Sequence, residues 1–327
     1  MRAKAVKKTN RAAEPAPRYP VLIAGWPGMG NVGLGAVGYL RRQLGGVPCA
    51  ELDASGCFFP EAMEVERGIG SLPPPDPQTL YAVSEPPLLL FEGTFQPGGE
   101  AGVKIADELL DCAVARGVEM VYTGAAFAAA MSCRDEVRVY GAASTDQVRE
   151  AFPGLGVEPL AEGRISGLNG LLPGLAAGRG LAGACFLATM PHYAVQTPNP
   201  RASRALVRIF ERILNTSIDT ARLDKEIAEL DKLLSEFETR VAATLRDIRA
   251  RLTDDDSGPR EEGSGDDEPT GPEPHEVMQH IESLFEAAEQ DRGRIPRLKE
   301  ALDRWGLFHI YEDRFLDLFT RPGRRTD

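Results

Sequence analysis

At 327 residues the chain is long enough for one large domain or two smaller ones with a substantial core. Its 49 Asp and Glu outweigh 37 Lys and Arg, and a net charge of −12 argues against nucleic acid as the main partner. No apolar run reaches the ~18 residues of a membrane span, so no membrane partner is expected either.

Met1 to Arg18 carries six Lys or Arg against one Glu and no apolar segment, which reads as a disordered tail and not a signal peptide. Val21 to Ala24 is a short apolar run of the kind that forms a buried strand. It stops in Gly25-Trp-Pro-Gly-Met-Gly-Asn-Val-Gly33, after which Leu34, Val37, Leu40 and Leu44 recur at helical spacing. Strand, glycine turn and helix open a parallel α/β unit, with backbone N–H groups and a helix N-terminus at the carboxyl edge of the sheet. Gly28, Gly30 and Gly33 spell G-x-G-x-x-G, and Asp53 follows at the distance of a ribose-binding acid. The same glycines also suit a tight turn that needs positive φ and close packing. Pro27 removes a donor that a pyrophosphate cradle would use. The structural turn is therefore the leading reading, ahead of a phosphate or nucleotide pocket and of an NAD site.

Farther along, Cys49 to Leu52, Leu80 to Val83 and Pro87 to Glu92 read as strands, separated by a polar stretch, Glu64 to Leu72, and a proline loop, 73–77. Ala101 to Arg116 is amphipathic and closed by Gly117. Glu119 to Gly124 is strand-like and runs into Ala125 to Met131, small residues expected to form a packed loop or a helix start. Val137 to Ala142 and Ala182 to Thr189 are further strands; Ser144 to Phe152 and Ser203 to Leu214 are helices. Interleaved strands and helices of this kind make a three-layer α/β/α domain.

From Ser217 the pattern changes. Leu223, Ile227, Leu230, Leu234, Phe237, Val241, Leu245, Ile248 and Leu252 form one stripe of a long charged helix, expected at about 20–45 Å. It suits either a self-associating coiled coil or packing along its own domain. Thr253 to Pro274 carries nine acids and one Arg among Gly, Pro and Ser, the composition of a disordered linker. Val277 to Ala288 and Arg294 to Arg304 follow as helices, and the aromatics of Trp305 to Tyr311 and Arg314 to Phe319 must fold back onto the body or meet a partner. The expected division is thus 1–18 tail, 19–215 α/β/α domain, 216–252 long helix, 253–276 linker and 277–327 helical segment.

Five cysteines without a C-x-x-C pair point to a reducing, cytoplasmic compartment. The four histidines lack metal-ligand spacing, so no metal is expected. His192-Tyr193 follows a strand end, where a histidine can serve as acid or base, although a His beside prolines commonly organises a loop. Asn169 and Asn199 sit in Gly- and Pro-rich loops, where Asn caps turns. Ser166 has no nucleophile elbow; Arg134 and Arg164 could hold an anion at the same rim. Gly28, Gly30, Asn31, Gly33, Asn169, His192, Tyr193 and Asn199 are accordingly the ligand-binding candidates, and none forms a catalytic set.

Four stretches in order carry a resemblance: Gly25 to Gly33 with Tyr39-Leu40, Val139-Tyr-Gly-Ala-Ala143, Ser166-Gly-Leu-Asn-Gly-Leu-Leu172, and Met190-Pro-His-Tyr193 with Pro198-Asn-Pro200. Over about residues 20–215 the chain resembles the PAC2 family of proteasome-assembly-chaperone-like proteins. The resemblance implies a three-layer α/β/α sandwich of the phosphorylase/hydrolase-like type, here with a C-terminal helical extension. It further implies a non-catalytic assembly chaperone or interaction scaffold, homo-oligomeric, with protein partners of the proteasome-subunit kind and no cofactor. Archaeal members resemble proteasome activators in ending with a hydrophobic-Tyr-X tail, whereas this sequence ends Arg321-Pro-Gly-Arg-Arg-Thr-Asp327, which argues against docking by that route. The alternative is a nucleoside-, nucleotide- or phosphate-binding protein or enzyme with its site around the Gly28 to Gly33 turn.

Overall fold

The structure, a computed structural model, describes residues 17–54, 56–58, 62–73, 76–255 and 273–320. The basic tail before residue 17, most of the acidic linker, and Arg321 to Asp327 lie outside the described residues. In chain order the elements are β1 (Val21–Gly25), α1 (Val32–Gln43), β2 (Val47–Leu52), β3 (Glu64–Glu66), β4 (Ile69–Ser71), β5 (Gln78–Val83), β6 (Leu88–Glu92), α2 (Gly99–Ala115) and β7 (Met120–Ala129). There follow β8 (Val139–Ala143), α3 (Asp146–Glu150), α4 (Phe152–Leu155), β9 (Glu158–Pro159), α5 (Leu168–Ala177), β10 (Ala182–Pro191) and α6 (Pro200–Leu214). The C-terminal part holds α7 (Ala221–Asp255), α8 (Pro274–Gln290), α9 (Ile295–Arg304) and α10 (Phe308–Thr320).

Eight strands form one mixed sheet in the order β2-β5-β6-β1-β7-β10-β8-β9. The middle four, β6, β1, β7 and β10, run parallel, and antiparallel pairings of β5 with β6 and β8 with β10 flank them. A strand covered on both faces needs apolar residues at successive positions, and β1 supplies them. Leu22 and Ala24 enter the core under α2 and α5, while Ile23 enters the opposite core under α1 and α6. Both cores hold fully buried large side chains, Phe186 and Phe210 on one face, Trp26 and Phe91 on the other. Each such side chain contributes about 1.5–3 kcal/mol through burial. Helices on both faces of the sheet give the three-layer α/β/α arrangement.

Two segments depart from the sequence expectation. Ala125 to Ala129 is neither loop nor helix start: β7 continues through it for ten residues, paired in parallel register with β10 from Ala182↔Met120 to Pro191↔Ala129. Alanine has no strong strand preference of its own, and pairing with β10 decides the conformation. The polar stretch after residue 63 contains the hairpin β3–β4, with Val65 opposite Gly70, outside the main sheet.

The 35 residues of α7 span about 50 Å at 1.5 Å per residue, longer than expected. Its first half is seated on α6, with Leu223 and Ile227 in the sheet core. Its second half, through the fully buried Val241, joins a third core built from α8, α9 and α10. The C-terminal aromatics therefore fold back within the same chain, where Phe285 and Tyr311 lie 5.6 Å apart by ring centroid.

Candidate functional site

The glycine turn is assembled from several distant parts of the chain. Gly33 lies against β7 so tightly that a Cβ there would fall 1.9 Å from the Gly124 carbonyl oxygen. Gly30 is buried at φ +56°, its N–H donating to the Val195 carbonyl (2.7 Å) and its carbonyl accepting from the Asn199 N–H (2.8 Å). Asn31 follows in the left-handed region at φ 46°, its side-chain oxygen accepting from the Gly28 N–H at 3.4 Å. The Trp26 N–H donates to Asn169 Oδ1 (2.9 Å) and the Asn31 N–H to the Gly28 carbonyl (2.9 Å). With the N–H groups of Trp26, Gly28, Gly30 and Asn31 satisfied internally, and Pro27 lacking one, the turn cannot present the ring of free donors that a pyrophosphate cradle needs.

Asn169 lies in the first turn of α5. Its amide bridges both backbone groups of Trp26, since Nδ2 also donates to the Trp26 carbonyl at 3.0 Å, and its own carbonyl accepts from the Thr123 hydroxyl. A side-chain amide thus supplies Trp26 with the backbone-like partners that a neighbouring strand would otherwise provide. Asn199 caps α6 by accepting from the Ala202 N–H (2.9 Å), and at 4% exposure it is buried under the turn.

Beside the turn, at the carboxyl ends of β1 and β7, is a cleft of about 450 Å³. The first turn of α1, the second half of β7, Gln96 and the stretch from Arg164 to Asn169 wall it. Of the sequence candidates, Gly28, Gly33 and Asn169 line it; Asn31 is exposed beside it, and Gly30 and Asn199 lie beneath. His192 and Tyr193 do not line it. The chain turns after β10, and His192 Nε2 lies 3.9 Å from Glu286 of α8 while its buried Nδ1 has no hydrogen-bond partner. Tyr193 stacks on Phe237 of α7 with ring centroids 5.7 Å apart and donates its hydroxyl to Glu238. Burial first, and then the Glu238 carboxylate, push the Tyr193 phenol well above its ordinary range. Glu238 also accepts from Ser132 Oγ (2.9 Å) and the Cys133 N–H (2.7 Å), so this network fixes α7 to the body.

The candidate residues consequently split between a cleft and a helix-docking seam. Sequence reasoning missed Gln96, whose Oε1 accepts from the Leu168 N–H at 3.0 Å, and Ala125 to Ala128. It also had no signal for the pairing of Trp26 with Asn169 across 143 residues. Arg164 does reach the rim, as expected, but Arg134 lies on the α7–α8 side near Glu238 and His275. A dinucleotide site fails on topology. Asp53 follows β2, the edge strand, and β5 and β6 stand between β2 and β1. The ribose-binding acid of such a site belongs on the strand next to the glycine turn. No cluster of three or more His, Cys, Asp or Glu able to hold a metal occurs among the described residues. None of the helices among them is long and apolar enough to cross a membrane.

Residues 22–238 match the sequence model of the PAC2 family, a span that reaches halfway along α7. Solved structures with the same fold include PbaB of Pyrococcus furiosus, described as an archaeal proteasome activator. That likeness has 23% identity over 68% of this chain and 95% of the other, with a TM-score of 0.57. A PAC2 family protein from Streptomyces avermitilis is similar at 24% identity, covering 66% and 95%, with a TM-score of 0.57. A proteasome-assembly chaperone homologue from Mycobacterium tuberculosis is similar at 23% identity, covering 66% and 94%, with a TM-score of 0.56. At these identities the structural likeness speaks for the fold. No curated protein matches the chain. With two thirds of its length inside the family's span and the family's sheet beneath the glycine turn, the chain belongs to the PAC2 family.

Proposed function

We propose that the protein is a non-catalytic scaffold that binds other protein chains during assembly, in the manner named for its proteasome-chaperone relatives, and that it self-associates. One observation carries this reading. Arg164 is the one charged side chain among the described residues that line the cleft, and a guanidinium is a permanent cation that cannot relay a proton near neutral pH. His192, the acid–base candidate, is committed to the seam under α8. The named roles of the similar structures, an activator and an assembly-chaperone homologue of the proteasome, support partners of the proteasome-subunit kind. Five free cysteines accord with a reducing, cytoplasmic setting.

The test is reconstitution. Full-length protein is mixed with α-type proteasome subunits and the assembled species are followed by native mass spectrometry. Faster or more complete ring formation is expected, with the protein bound to intermediates. Turnover of a nucleoside or nucleotide that disappears in Arg164→Ala would overturn the scaffold reading and restore the small-molecule alternative.

A further inference from the structure

The second half of β7 has an open side. On one flank it is paired with β10 along its whole length, but β1 accompanies it only as far as Ala24↔Thr123. Beyond that point no other strand of the described residues pairs with Ala125 to Ala129 on the β1 side, and the cleft occupies that space. An open strand edge is a template for another extended backbone. The small side chains of Ala125 and Ala128 let a backbone approach closely, and the four residues from Ala125 to Ala128 span about 10 Å at the strand rise. A segment of about three or four residues matches that edge, and the exposed Met29 and Phe127 beside it offer apolar surface to its side chains.

The charge in the cleft has one sign. In a chain of net −12, its only charged lining residue among those described is the exposed Arg164. The first turns of α1 and α5 also contribute to its wall; the N-cap residue of α1 provides no side-chain cap, whereas at α5 Gln96 Oε1 already holds the Leu168 N–H. An occupant carrying a negative group at its end is complementary to this arrangement.

We propose that the cleft receives the extended carboxyl-terminal segment of a partner protein, which adds to the free edge of β7 and places its terminal carboxylate on Arg164. The inference rests on the scaffold reading in that the ligand is a protein, and it narrows that reading to a chain terminus.

The probe is a fluorescein-labelled peptide library with four randomised C-terminal residues and a free carboxylate, titrated into the full-length protein by fluorescence polarisation. Selected sub-pools are expected to bind. C-terminal amidation, which leaves the protein untouched, should weaken them about tenfold or more, and Arg164→Gln should do the same. Amide hydrogen exchange at Ala125 to Ala129 should slow on binding. The proposal is overturned if no sub-pool binds, if binding ignores both amidation and Arg164→Gln, or if the β7 edge gains no protection. It is equally overturned if inorganic phosphate displaces the probe while amidated and free peptides bind alike, the mark of a small-anion site. Proteasome-subunit assembly that proceeds without any peptide binding would sink this inference and leave the scaffold standing; peptide binding without assembly would do the reverse.

Discussion

Gly28 and Gly33 look interchangeable in the G-x-G-x-x-G pattern, yet a methyl group would meet opposite fates at the two positions. At Gly33 the added Cβ would strike the β7 backbone at 1.9 Å, and a strand buried between two layers cannot yield. At Gly28 the backbone is extended and the nearest atom, Asn169 Nδ2, is 3.7 Å away, an ordinary contact. Gly33→Ala is therefore expected to cost about 3 kcal/mol in urea unfolding, and Gly28→Ala within about 0.5 kcal/mol. Equal costs would show that the glycines serve something other than helix–strand approach. The cysteines divide in a similar way. Burial pushes the Cys185 thiol up to about 11; the Cys49 thiol is raised too, chiefly by desolvation, but the residue is exposed on the edge strand β2 and open to reagent. Brief alkylation of the native protein near neutral pH should label Cys49 and spare Cys185, as read by peptide mass spectrometry. Labelling of Cys185 at a matching rate would mean that β10 opens readily.

At the scale of elements, α7 decides how the molecule is joined. Its single apolar stripe serves two different cores in succession, and Phe237 stands near the handover. That ring is stacked on Tyr193 of the body at 5.7 Å and is edge-on to Tyr311 of α10 at 5.9 Å. Phe237→Ala is expected to cost about 2 kcal/mol, below the range for a fully buried Phe because the ring is only half-buried. Hydrogen exchange should rise in α8–α10 and stay unchanged in α1 and α6. A uniform rise would instead make the two parts one cooperative unit.

The C-terminal core also contains Glu282, 1% exposed, facing Arg314, with one carboxylate oxygen and the nearby Tyr311 hydroxyl unpartnered. Burial raises the Glu282 carboxyl above its ordinary value of 4.5, against the opposing pull of Arg314. A raised acid binds its proton more tightly folded than unfolded. Its contribution is thus fully present below 4.5 and is lost as pH rises through the folded value. The stability of the native protein minus that of Glu282→Gln should accordingly fall as pH climbs from 4.5, measured by thermal unfolding of both. A difference that grows with pH would mean that Arg314 dominates.

For the whole molecule, the unexplained surface is the hairpin β3–β4. Val65 pairs with Gly70, and Met63 lies across that glycine, so two apolar side chains share a face in solvent at 62% and 59% exposure. Leu72 just beyond β4 is exposed as well. A two-stranded hairpin is marginal alone, and covering this face by another copy would stabilise both. If self-association uses it, the triple variant Met63→Ser, Val65→Ser, Leu72→Ser should lower the particle mass in light scattering without shifting the unfolding of the monomer. An unchanged mass would rule this face out as a self-association surface.

The elements themselves were legible because their signals are local. The run of apolar residues in β1, the glycine stop, the stripe of α7 and the heavy C-terminal aromatics each state within a few turns of chain what they need to bury. Ala125 to Ala129 were misread because alanine states no such need, and the hairpin because Glu64, Glu66 and Gly70 hide its two apolar side chains. Sequence spacing also placed Gly28, Gly33 and Asn169 near the carboxyl edge of the sheet. It could not say that His192 and Tyr193, at the end of a neighbouring strand, would turn away from that edge. That choice is made by the bend after β10 and by α7 and α8, which begin well beyond it in sequence. In the same way, the strand order that separates Asp53 from the glycine turn, and the early departure of β1 that leaves β7 open, arise from pairings between distant segments. Local chemistry determined which pieces this protein is made of; long-range pairing alone decided which of them meet at the cleft.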